Sequence, residues 1–246
     1  MRRRGGGGGA PPAKVAALQS ITADAPLAAW AFGAPDPAVD RSGQINALTT
    51  SGGTYLVADL VPNRACVVGA NQSDIENRYT FAGPGAALPW ARVGQPVTIN
   101  ARVWVASPAT NSRRPLYAVQ MSGGFQQLVW GVVLSLGKLV SFYYVSLGDF
   151  SNQLYVGTLE VVPHKWQVLA FKRSADGLQT TFYVDGAEET IVTGAVGTWA
   201  TSDTFRLLTE IGTTPSWIGN VADMAVFPTV LSKANLDARR AVMLGL

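Results

Sequence analysis

Residues Trp166-Gln-Val-Leu-Ala-Phe-Lys-Arg-Ser-Ala-Asp-Gly-Leu-Gln-Thr-Thr-Phe-Tyr-Val-Asp-Gly186 hold two β-rich runs, Trp166 to Phe171 and Leu178 to Val184. Asp176-Gly177 separates the runs and Asp185-Gly186 follows the second. Asp-Gly pairs accept the positive φ that a tight strand reversal demands, so each reads as the tip of an antiparallel connection. Working upstream, Leu154 to Val162, Leu139 to Val145 and Leu128 to Leu134 are further β-rich runs bounded by Gly, Asp, Asn, Ser and Pro. Val97 to Val105 sets Val97, Ile99, Ala101, Val103 and Val105 against Thr98, Asn100, Arg102 and Trp104, the period of two of a half-buried strand. No helical pattern lies between these runs, and a parallel sheet would need crossover helices. The fold class is therefore all-β, an antiparallel two-sheet sandwich.

The ends of the chain differ from its middle. Leu231 and Leu236 flank Ser232 as a hydrophobic staple flanks an N-cap, which predicts a C-terminal helix continuing through Arg239-Arg240 and Met243. The arginines there suit the negative end of a helix dipole. Near the start, Pro12 and the spacing of Val15, Leu18 and Thr22 predict a short N-terminal helix over 13–22. Leu27 to Phe32 then reads as the first strand. Residues 1–12 combine Arg2, Arg3 and Arg4 with five consecutive glycines and Pro11-Pro12, a basic arm that cannot bury apolar surface. The expected organisation is the arm over 1–12 and one β domain with flanking helices over 13–246.

The net charge of +3 belongs to that arm: without its three arginines, 16 basic residues face 16 acidic ones. A folded body so balanced lacks the basic face of a nucleic-acid binder. Cys66 is the single cysteine, so no intrachain disulfide forms and the core must hold the fold. After Met1 to Arg4 come glycines and prolines rather than an apolar run, so no secretory signal is expected. No uninterrupted apolar stretch of about 18 residues occurs, and no membrane span is expected.

Three stretches resemble a known family. Trp166-Gln-Val-Leu-Ala-Phe171 with Thr181-Phe-Tyr-Val-Asp-Gly186 resembles the paired strands of laminin-G-like, concanavalin A-type jelly rolls. Ile211-Gly212 and Trp217-Ile-Gly-Asn-Val-Ala-Asp-Met-Ala-Val-Phe227 are similar to that family's closing strands, with Leu231-Ser232 opening the final helix. Ala23-Asp24-Ala25-Pro26-Leu27-Ala28-Ala29-Trp30 is similar to the opening strand of such domains in tailed-bacteriophage structural proteins. The resemblance brackets about residues 23 to 244. It departs from the family at Trp-Ala-Phe, where Trp-Arg-Leu is favoured, and at Ala222 to Ala225, which lacks a second acidic residue.

The chemistry of the residues argues against catalysis. His164 is the only histidine, next to Pro163 at a strand start, and no G-x-S-x-G elbow accompanies it; it reads as a loop residue. Glycoside hydrolysis needs two carboxylates flanking a cleft, and no strand carries the alternating acidic pattern. Glu188-Glu189 merely follows the Asp185-Gly186 turn. Asp223, Asp185, Asp74 and Glu76 are candidates for a structural calcium by residue type alone, and no metal site or cofactor is assigned from them. Among the seven tryptophans, Trp30, Trp104 and Trp166 follow the core pattern and read as structural. Trp90, in the Gly83 to Pro96 loop, and Trp199 and Trp217, near turns, are the candidate ligand-binding residues, serving either a sugar or a protein partner.

Taken together, the resemblance implies a non-enzymatic structural component of a bacteriophage virion, assembled in the host cytoplasm. It would be a tail or capsid-surface decoration subunit, docked through Arg2, Arg3 and Arg4. Its partners would be other virion proteins, including further copies of itself. The alternative is a carbohydrate-binding lectin or host-surface adhesin that recognises a cell-surface glycan, and behind it a degenerate glycoside hydrolase.

Overall fold

The computed structural model describes residues 24–31, 39–43, 48–51, 56–61, 64–69, 78–81, 96–105, 113–121, 126–147, 152–193, 202–207, 217 and 219–245. Its strands are, in order, β1 (Ala28–Ala31), β2 (Leu48–Ser51), β3 (Leu56–Val61), β4 (Arg64–Gly69), β5 (Arg78–Phe81), β6 (Val97–Val105), β7 (Arg114–Met121) and β8 (Gln126–Ser135). They continue as β9 (Lys138–Leu147), β10 (Asn152–Glu160), β11 (Trp166–Arg173), β12 (Gln179–Val184), β13 (Ala187–Val192), β14 (Ser202–Leu207) and β15 (Gly219–Phe227). The helix α1 (Lys233–Leu244) follows.

Two antiparallel sheets form a jelly-roll-like sandwich, as the strand pattern predicts. The first has the order β13-β12-β11-β6-β15-β4-β3, with β1 paired to β15; the second has the order β10-β9-β8-β7-β14-β5-β2. The Asp185-Gly186 reversal joins β12 to β13 with φ of 48° and 107°, the positive angles its sequence predicts. Gly177, at φ 71°, turns the chain between β11 and β12. The predicted helix over 13–22 and the arm over 1–12 lie outside the described residues.

Alternation divides each strand between two environments. The inner residues of β6 (Val97, Ile99, Ala101, Val103 and Val105) meet Trp130, Val132, Tyr143 and Val145 of the second sheet in the inter-sheet core, joined by Trp30. The outer face of the first sheet packs a second layer: Ala29, Val168, Ala170, Ala225 and Phe227 lie against Leu236 and Met243 of α1. Ser232 caps this helix, its Oγ accepting the Asn235 amide at 3.1 Å, and Leu231 and Leu236 are both buried. Gly245, at φ 72°, ends it with its N–H aimed at Ala241 and Val242 carbonyls.

The arginines of α1 have a different job from the one the sequence suggests. The last turn of α1 carries no basic residue. Arg239 is buried instead, its guanidinium 4.5 Å from the Phe227 ring centroid and 3.5 Å from both Asn100 Oδ1 and Asp24 Oδ2. Burial pulls its pKa down to about 10, against the attraction of Asp24 and Asp223. Among the described residues no helix is long and apolar enough to cross a membrane.

Candidate functional site

The outward set of β6 ends at Trp104. Its register partner on β11 is Trp166, and its partner on β15 is Asn220. Directly paired residues of an antiparallel sheet share a face, so the two indoles and the carboxamide form one row across three strands. Both tryptophans are half-buried, whereas Asn220 is 3% exposed. The exposed His164 completes the group: its ring stands edge-on to Trp104, with centroids 5.2 Å apart. A backbone φ of 59° turns the chain there, and the His164 N–H donates to the Val105 carbonyl at 2.8 Å.

Behind the row lies an ion pair. Arg102 Nε stands 2.8 Å from Asp223 Oδ2, with the two side chains 3% and 6% exposed. Arg102 Nη1 donates to the Met243 carbonyl at 3.1 Å, tying the end of α1 to the sheet. The same guanidinium lies 5.2 Å from the Trp166 ring centroid, a cation–π distance. Asp223 thus orients the closing strand. At Gly219 a Cβ would sit 2.0 Å from the Trp104 carbonyl oxygen, and its φ is 143°. Only glycine lets β15 approach β6 this closely beside the row.

A second charge cluster holds the other flank. Asp185 accepts from Arg240 Nε at 2.6 Å and from Lys165 Nζ at 3.1 Å. Burial disfavours its charge, but these two cations outweigh the burial and hold the carboxyl below its ordinary range. Tyr183 OH donates to Asp237 at 2.9 Å, and burial together with that bond raises the phenol.

The tryptophans assigned from sequence redistribute. Trp217 is fully buried in the inter-sheet core, so it is no ligand platform. It shares the inward parity of Val221 on the strand it introduces, a phase that proximity to a turn does not reveal. Trp104 and Trp166, read as structural, are instead the half-exposed pair. Their signal was present: Trp104 falls in the polar phase with Thr98, Asn100 and Arg102. Trp90, Trp199, Arg2, Arg3, Arg4, Asp74 and Glu76 lie outside the described residues. Asp185 and Asp223 are committed to ion pairs, and among the described residues no group of three potential metal ligands converges.

Glu188 and Glu189 are likewise committed. Glu188 pairs with Lys172 at 2.6 Å on the outer face. Glu189 reaches the other sheet's edge, accepting from Thr158 N at 2.6 Å, Thr158 Oγ1 at 3.0 Å and Leu159 N at 3.3 Å.

A laminin-G-type family model, described as the concanavalin A-like lectin/glucanases superfamily, matches residues 82–237, more than half of the chain. No curated protein matches. Among solved structures, the botulinum neurotoxin serotype C1 binding domain superposes with a TM-score of 0.66 at 12% identity, over 89% of this chain and 52% of that one. A type C structure whose description reports dependence of cell entry on two ganglioside molecules has a TM-score of 0.63 at 14% identity, over 92% and 53%. Domain 4 of AbnA, a GH43 extracellular arabinanase from Geobacillus stearothermophilus in complex with arabinotriose, has a TM-score of 0.63 at 14% identity, over 87% and 98%. The chain spans about half the length of the toxin domains. At such identities these likenesses establish the fold alone.

Proposed function

We propose that this chain, which belongs to the concanavalin A-like lectin/glucanase superfamily, is a non-catalytic carbohydrate-recognition domain. The observation that carries the reading is the pair of half-exposed indoles, Trp104 and Trp166, side by side on a rigid sheet. Sugar rings present apolar C–H faces, and flat aromatic side chains bury such faces at low cost in side-chain entropy. The platform is preorganised, because Arg102, Asp223 and His164 fix the two rings from behind and beside. Two likenesses point the same way: the arabinanase domain holds arabinotriose, and the toxin's description concerns gangliosides. The absence of catalysis is part of the proposal. It is supported by the structural bonds that occupy Glu188 and Glu189.

The test is a glycan array with the full chain and its Trp104→Ala and Trp166→Ala variants. Both variants lose the wild-type hits while keeping wild-type circular dichroism. Unchanged hits in both would remove the platform from the reading.

A second reading places the same domain in a bacteriophage virion. It is motivated by the stretch Ala23 to Trp30, which is similar to the opening strand of such domains in tailed-bacteriophage structural proteins. In this reading Arg2, Arg3 and Arg4 dock the domain while the indoles recognise a host glycan. Deletion of residues 1–12 then abolishes incorporation into particles; normal incorporation would defeat the docking role.

A further inference from the structure

Asn220 is 97% buried by its neighbours, yet its carboxamide makes no hydrogen bond among the described residues. A buried amide normally finds a partner within the protein. Here the open hydrogen-bonding capacity stands at the end of the row Asn220–Trp104–Trp166. The charged groups around the row are in the opposite condition. Arg102 is taken by Asp223 and the Met243 carbonyl, and Asp185 holds both Lys165 and Arg240.

Resting on the carbohydrate reading, we infer that the ligand is a neutral, linear oligosaccharide lying across β15, β6 and β11. Trp104 and Trp166 carry successive sugar rings, and the Asn220 carboxamide hydrogen-bonds hydroxyls at one end. The strands are spaced at about 4.8 Å, roughly the breadth of one sugar ring, so neighbouring indoles seat neighbouring units. A carboxamide is both donor and acceptor, matching a hydroxyl that is both. An acidic sugar would have to take Arg102, Lys165 or Arg240, the cations around the row among the described residues, from carboxylates they already hold.

Isothermal titration and tryptophan-fluorescence quenching of the full chain test this. The probes are neutral arabino-, xylo-, manno- and gluco-oligosaccharides of one to four units, with oligogalacturonates and sialyllactose as the acidic set. A neutral series binds, its disaccharide at least about tenfold tighter than its monosaccharide, and the acidic set binds more weakly. Asn220→Ala weakens that binding about tenfold, the scale of one lost hydrogen bond to a ligand. Asn220→Ser retains a shorter hydrogen-bonding group and loses less, which preserves the test should the alanine variant fold poorly. Wild-type affinity in both variants, equal affinity for one and two units, or a preference for the acidic set overturns this inference and leaves the carbohydrate reading standing. Binding of neither set overturns both.

Discussion

Trp217 precedes β15 and Trp104 lies on its partner β6, yet their surroundings are opposite. The Trp217 indole fills the space between the sheets with Trp30, Trp130 and Phe171. Trp104 stands on the outer face, against His164. Removing a fully buried indole leaves a large cavity, so Trp217→Ala lowers unfolding stability by about 3–5 kcal/mol in urea titrations. Trp104→Ala leaves less of a void and shifts the midpoint less, while abolishing ligand binding. Equal midpoints for the two variants would contradict this division. The sequence reading of both residues failed for a physical reason. Proximity to a turn says little about which face a side chain takes, and parity along the strand says nearly everything. The alternation of β6 already set Trp104 with the polar residues. Its meeting with Trp166 and Asn220 was not legible, because those partners are 62 and 116 positions away along the chain and only strand pairing unites them.

Helix α1 is held to the sheet by burial of Leu236 and Met243 and by polar ties, one of them from Arg240 to Asp185, which also holds Lys165. The start of this helix was legible in Leu231-Ser232, since capping is a local interaction. Its arginines were not: a helix-dipole role is local, whereas Arg239 and Arg240 serve tertiary partners that the sequence does not disclose. The polar ties make docking sensitive to acid. The Asp185 carboxyl titrates lower in the folded chain than in the unfolded one, where a carboxyl titrates at about 3.9. Its contribution is thus fully present above that value and disappears as pH falls through the lower, folded-state value. Thermal melting at pH 7 and pH 3 checks the sign. Asp185→Asn melts below wild type at pH 7, and the gap narrows at pH 3. A gap that widens in acid would show that Asp185 does not stabilise as its carboxylate.

At the scale of the whole molecule the last strand is the keystone. β15 lies between β6 and β4 and also receives β1, with Ala28 opposite Val226. Strands β6 and β8 to β12 were legible from alternation and turn residues, whereas β2 to β5, β7, β13 and β14 were not singled out. The order of strands was not legible, because pairing depends on complementary faces formed by segments distant along the chain. Such non-local pairing predicts slow folding, in the range of milliseconds to seconds. It also predicts two different truncation outcomes. A chain ending at residue 216 lacks Trp217 and all of β15, leaving β6, β4 and β1 without their shared neighbour; it shows no cooperative urea transition. A chain ending at residue 229 keeps both sheets but loses α1, uncovering Ala29, Val168, Ala170, Ala225 and Phe227. That chain unfolds cooperatively at a lower urea concentration than the full chain and binds a hydrophobic dye in its native state. A cooperative transition in the 216-residue chain would place the folding nucleus elsewhere and show that the sandwich closes without its central strand.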